Sequence, residues 1–171
     1  MPTCSEVENA ATIEKPRVPT YVEHEKAIAP GIDRSPFPAG ALLPQQQRHR
    51  VFVVDDALVV RNLVIECVEE IAGLEVAGFA GSEASALSWL RSHPCDVLIL
   101  DLELRQGSGL GLLKAMSLES VPKPLTIVYS NHADPASRRV AAELGAAYFF
   151  DKMQDADKLR LLLQEIASSG T

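Results

Sequence analysis

Four short stretches of this chain carry side chains suited to chemistry on phosphorus. Asp55 and Asp56 directly follow an apolar run at 51–54, and Asp101 directly follows another at 97–100. Ser130 ends a third run that begins at Leu125, and Lys152 lies just beyond a fourth at 146–150. Three carboxylates brought together repel one another and call for a cation. Oxygen ligands and high negative charge suit Mg²⁺, which keeps several of its waters. Beside such a cation the Asp101 carboxylate becomes a nucleophile toward phosphorus, giving an aspartyl phosphate. The cation and Lys152 would neutralise the phosphoryl oxygens, and the Ser130 hydroxyl would donate a hydrogen bond to one of them. Each residue alone has a plainer reading, since strand-end Asp caps helices and single Ser or Lys side chains are usually solvated. Their convergence would mark a site.

Convergence depends on the elements that carry them. Apolar runs recur at 51–54, 74–80, 97–100, 125–129 and 146–150, with helical spacing between them. Val60, Val64, Cys67, Val68 and Ile71 mark one face of a first helix. Ser82 is placed to cap a second, carrying Ala86, Leu87 and Leu90, with Pro94 just past its end. Residues 109–118 read as a third helix. A fourth spans 135–144, with Asp134 as cap, Pro135 at its first position and Gly145 at its exit. Leu159, Leu162, Leu163 and Ile166 line a fifth. Apolar runs without alternation indicate strands buried on both faces, hence a parallel sheet between two helical layers. The fold class expected is α/β, a doubly wound five-stranded parallel sheet in the flavodoxin-like order 2-1-3-4-5. Ligands of such sheets bind at the strand carboxyl ends where strand order reverses. Strands one and three meet there, so Asp55, Asp56 and Asp101 would share one pocket, flanked by Ser130 and Lys152. The second strand brings only Gly81-Ser82, without charge.

Composition sets the boundaries. Seven of the 11 prolines precede residue 49, and residues 1–50 carry six acids and six bases. The whole net charge of −7 therefore belongs to residues 51–171. Residues 1–48 are expected to form a Pro-rich, mostly disordered extension, and 49–171 a single α/β domain. An acidic balance disfavours nucleic acid, whose phosphates need clustered positive charge. No apolar stretch is long enough to insert in a membrane, and the first residues read as no secretory signal. Cys4, Cys67 and Cys95 are odd in number and lack metal-ligand spacing, which fits free thiols and a cytoplasmic location.

Taken together, Val53-Val54-Asp55-Asp56, Leu98-Ile99-Leu100-Asp101-Leu102 with Gly107-Ser108-Gly109, Val128-Tyr129-Ser130-Asn131 and Phe149-Phe150-Asp151-Lys152 resemble the receiver domain of bacterial two-component response regulators. The separations of 45, 29 and 22 residues between Asp56, Asp101, Ser130 and Lys152 suit that family. The resemblance implies that Asp101 is the phosphoacceptor. It implies Mg²⁺ held by Asp55, Asp56, Asp101 and the backbone carbonyl of Glu103, with Asp55 acting mainly through water. Ser130 would be the switch hydroxyl, Lys152 the phosphate-contacting lysine, and Phe149 the rotating aromatic. Glu103 and His132 would flank the path of attacking water. Two positions depart from the family: Arg105 and Met153 stand where Pro is common.

The function implied is a stand-alone response regulator of a two-component phosphorelay, a phosphoprotein and not an enzyme beyond assisting its own phosphorylation and dephosphorylation. A sensor histidine kinase or histidine phosphotransfer protein would supply the phosphoryl group, and an effector protein would read it. Contacts with the effector, or with a second copy, are expected through the fourth and fifth strand–helix units, where Asp134, Arg138 and Arg139 form a charged face. An intermediate phosphoryl carrier is the alternative. A Mg²⁺-dependent phosphatase is disfavoured because no cap or substrate pocket is evident, and a flavin nucleotide because three carboxylates would repel its phosphate.

Overall fold

The computed structural model describes residues 48–119 and 122–169. The expected disordered extension at 1–48 lies outside the described residues, except for Arg48. Five strands and five helices alternate strictly. They are β1 (His49–Val54), α1 (Leu58–Glu69), β2 (Leu74–Ala80), α2 (Glu83–Ser92) and β3 (Val97–Leu100). They continue with α3 (Gly109–Leu118), β4 (Leu125–Ser130), α4 (Pro135–Glu143), β5 (Tyr148–Asp151) and α5 (Ala156–Ser168). The strands form one parallel sheet in the order β2-β1-β3-β4-β5, as the sequence predicts.

The period of two along each strand divides the core. Phe52, Val54, Leu98, Leu100 and Val128 face one layer, where they meet Ala86 and Leu90 of α2, Leu112, Leu113 and Met116 of α3, and Ala141 of α4. Val51, Val53, Val97, Ile99, Ile127 and Tyr129 face the other, against Val64 and Val68 of α1 and Leu159, Leu162 and Leu163 of α5. Both strand faces are thus apolar, and each fully buried Leu, Val or Phe contributes about 1.5–3 kcal/mol relative to exposure. Trp89 stacks on Phe52 with ring centroids 3.9 Å apart. Among the described residues, no helix is long and apolar enough to cross a membrane.

Local chemistry ends these elements where the site needs them to end. Ser82 caps α2 by accepting from the Ser85 amide, and Ser108 caps α3 by accepting from Gly111. Asp134 caps α4 through the Ala136 and Ser137 amides, with Pro135 in the first turn. Gly145, at φ +101°, turns the chain out of α4, and the Ala146 amide donates back to Ala141 O at 3.0 Å. That closure uses residue 146 as helix exit, so β5 begins at Tyr148 and not at 146.

Candidate functional site

The carboxyl ends of β1, β3, β4 and β5 lie side by side and bring the predicted residues together. Asp55, Asp56 and Asp101 each offer a carboxylate oxygen, and these atoms lie within 4.8 Å of one another. The Lys152 side chain, only 6% exposed, reaches between two of them. Its ammonium donates to Asp55 Oδ2 at 2.7 Å and to Asp101 Oδ2. The other oxygen of Asp101 accepts from Ser130 Oγ at 2.7 Å and from the Glu103 amide at 3.1 Å. Ser130 has no exposed surface, so its hydroxyl is aimed at Asp101 by the sheet itself. Burial pulls the Lys152 ammonium toward neutrality, but its bonds to Asp101 and Asp55 and their charges outweigh that and hold its pKa above the ordinary value.

Asp55 is both ligand candidate and local anchor, since its Oδ1 accepts from the Ala57 amide at 2.9 Å and shapes the entry to α1. Its carbonyl accepts from Arg61 Nη1 at 3.0 Å, while the Arg61 guanidinium lies over the Phe79 ring. Asp56 is not reached by Lys152. Arg105 takes that place, with Nε 2.9 Å from Asp56 Oδ2. His132 Nδ1 meets Glu103 Oε2 at 2.8 Å, joining the two residues expected along the water path. The Met153 amide donates to Asp151 Oδ1 at 2.7 Å and closes the turn after Lys152 without a proline.

Three features escaped the sequence reading. Glu83 at the start of α2 accepts from the Ser108 amide through Oε2 at 2.8 Å, and its own amide donates to Gln106 O. Glu83 thereby fastens the β3–α3 loop, and a side chain at Gly107 (φ +85°) or Gly111 would collide with it. Gly109 sits against the backbone of Asp101 and Leu102 so closely that a Cβ there has no room. Arg138 was expected on the exposed face with Asp134 and Arg139. It is instead half-buried, donates to Ala133 O and Phe149 O, and lies 4.4 Å from the centroid of the Phe149 ring. An arginine stem and planar head can cover an aromatic face, which a helix-period reading of charge does not register. Phe149 itself is half-buried on β5, opposite Val128 and two residues before the Ser130 pairing.

The oxygen-only donor set, buried on one side and negatively charged, fits a hard divalent cation such as Mg²⁺. A doubly wound sheet with an acidic cluster at its switch point, a buried hydroxyl and a lysine defines a receiver. Residues 51–164 match the family described as response regulator receiver domain, and the chain belongs to that family. Among curated relatives it is 34% identical over 131 residues to a protein-glutamate methylesterase/protein-glutamine glutaminase of Halalkalibacterium halodurans, covering 72% of this chain and 38% of that protein. It is 31% identical over 113 residues to the protein of the same description from Treponema denticola, covering 66% and 30%. The chain thus spans about a third of the length of these relatives. Among solved structures, the receiver domain of the regulator NarL from Mycobacterium tuberculosis matches with a TM-score of 0.64 and 26% identity, covering 71% of this chain and 98% of that one. The response regulator domain of Thermotoga maritima CheB matches with a TM-score of 0.63 at 22% identity, covering 72% and 96%, a likeness of fold.

These relatives correct one expectation. Against the expectation of no enzyme beyond assistance to its own phosphorylation and dephosphorylation, the curated proteins the chain resembles carry enzyme names. The region shared with them is the receiver part alone, and their esterase and glutaminase descriptions are said of those proteins.

Proposed function

We propose that this chain is a response regulator whose Asp101 accepts a phosphoryl group from a phosphohistidine on a sensor kinase or phosphotransfer protein, and that the phosphorylated form acts through protein contacts. The observation that carries this reading is the convergence of Ser130 Oγ and Lys152 Nζ on opposite oxygens of one buried carboxylate. In the transfer, a carboxylate oxygen of Asp101 bonds to phosphorus, the phosphorus–nitrogen bond breaks, and the donor histidine leaves with that electron pair. Lys152 stabilises the charge on the phosphoryl oxygens, and the Ser130 hydroxyl turns from Asp101 to donate to one of them. Asp55, Asp56, Asp101 and the Glu103 carbonyl would hold Mg²⁺, which supplies further charge neutralisation there.

Ser130 and Phe149 lie on paired strands, so a change at the hydroxyl is felt along β4 and β5. Removing the Ser130 bond to Asp101 loosens the end of β4, and Phe149 with its Arg138 cover repacks in response. The donor is expected near the opening beside Lys152, where the exposed apolar side chains of Leu63 and Met153 line the same cleft.

Incubation with Mg²⁺ and acetyl phosphate, read by intact mass, tests the reading. A single phosphoryl adduct that needs Mg²⁺ and is lost in Asp101→Asn is expected. No adduct on the wild-type chain, with no Mg²⁺ binding, would leave a phosphorylation-independent binding module in its place.

A further inference from the structure

The charges around the acidic cluster are shared unevenly. Lys152 serves Asp55 and Asp101 from within the protein, while Asp56 is served from outside by Arg105. The two partners of that outer pair differ sharply in setting, for Asp56 is 15% exposed and Arg105 is 82% exposed. The backbone beneath Arg105 is nonetheless held. Gln106 O accepts from the Glu83 amide at 3.1 Å, and the Ser108 amide donates to the Glu83 carboxylate. Arg105 therefore hangs from a fastened loop and lines a cleft together with Asp56, Gly81, Ser82, Ser85 and Gln106. An exposed arginine on a fixed anchor leaves its partner at little cost, yet its charge stays within reach.

Asp56 Oδ2 is the atom that Arg105 occupies, and Asp56 belongs to the set of oxygens able to surround a cation. A divalent ion taking that oxygen must displace the guanidinium and then tolerate a positive charge close by. From this we infer that Arg105 is a tethered counter-ion that competes with the divalent cation for Asp56, lowering the affinity of the site and setting the cation concentration at which it fills. The inference rests on the metal reading of the acidic cluster given above.

Calorimetric titration of the full chain with Mg²⁺ tests it, in parallel with Arg105→Ala, Arg105→Lys and the distant charge-removal control Lys114→Ala. Loss of the ion pair and of the residual repulsion is expected to tighten Mg²⁺ binding on the order of three- to tenfold in Arg105→Ala. Arg105→Lys should stay near the wild type, and Lys114→Ala should leave affinity unchanged. The gain in thermal midpoint on adding Mg²⁺ should also be larger for Arg105→Ala than for the wild type. Equal or weaker binding in Arg105→Ala, or equal tightening in Lys114→Ala, overturns the inference while the metal reading stands. Absence of binding in every variant overturns both.

Discussion

At the residue scale, one cation holds two buried carboxylates. The Lys152, Asp55 and Asp101 side chains are all less than a tenth exposed, so removing the ammonium leaves uncompensated negative charge inside the protein. Breaking a buried pair from one side costs about 3–5 kcal/mol, so Lys152→Met should lower the unfolding free energy by about 3 kcal/mol, read from urea denaturation without divalent cations. Added Mg²⁺ should restore part of that loss. The pH dependence has a definite sign. Because the folded protein raises the Lys152 pKa, its contribution is fully present below the unfolded lysine value of about 10.4 and is lost as pH rises through the higher folded value. The urea midpoint should fall more gently across that alkaline range in Lys152→Met than in the wild type. An identical slope in both would remove Lys152 as a source of the dependence. Cys95, pushed up to about 11 mainly by burial, loses its own contribution as pH rises from about 9, in both proteins alike.

At the element scale, the loop from β3 to α3 is what keeps Asp101 in place. Gly109 lies against the Asp101 carbonyl, and Ser108 caps the helix that starts there. These two neighbours should respond differently to alanine. Ser108→Ala removes a cap and should cost about 1 kcal/mol, with Asp101 still in position. Gly109→Ala forces the Asp101 backbone away and should cost roughly 1–3 kcal/mol. It should also slow labelling by acetyl phosphate well beyond what its stability loss explains. Rates measured where both variants are fully folded separate the two, and equal labelling would show that the loop yields without moving the carboxylate. Glu83 adds a third fastening from α2, so the loop is held from two helices at once.

At the scale of the whole molecule, the two core layers are separate bodies divided by the sheet. The site lies at the carboxyl end of that sheet, and the Arg138–Phe149 contact lies on the side of α4 and β5. A phosphorylation response passing through Ser130 and Phe149 should therefore be local. Hydrogen exchange with and without acetyl phosphate and Mg²⁺ should change along 130–139 and 148–152, while the interior amides of α2 and β2 stay as they were. Uniform protection across the sheet would contradict a path through β4 and β5.

The sequence by itself determined the architecture, because strand and helix periods, the caps at Ser82 and Asp134 and the exit at Gly145 are local signals that act on their own neighbours. It also determined which residues would meet, since in a parallel sheet every strand delivers its last residue to the same end. The order of strands then sets the neighbours of Asp55, Asp56, Asp101, Ser130 and Lys152 without reference to any side-chain detail. What only the tertiary structure decided is which side chain neutralises which. Lys152 could have faced solvent, Arg105 could have extended away from Asp56, and Arg138 carries the same helical spacing whether it is solvated or laid across Phe149. Glu83 and the glycines it crowds are 24 to 28 positions apart. Contacts of that kind depend on where long flexible side chains find low-energy partners after the elements have packed, and no periodicity encodes them.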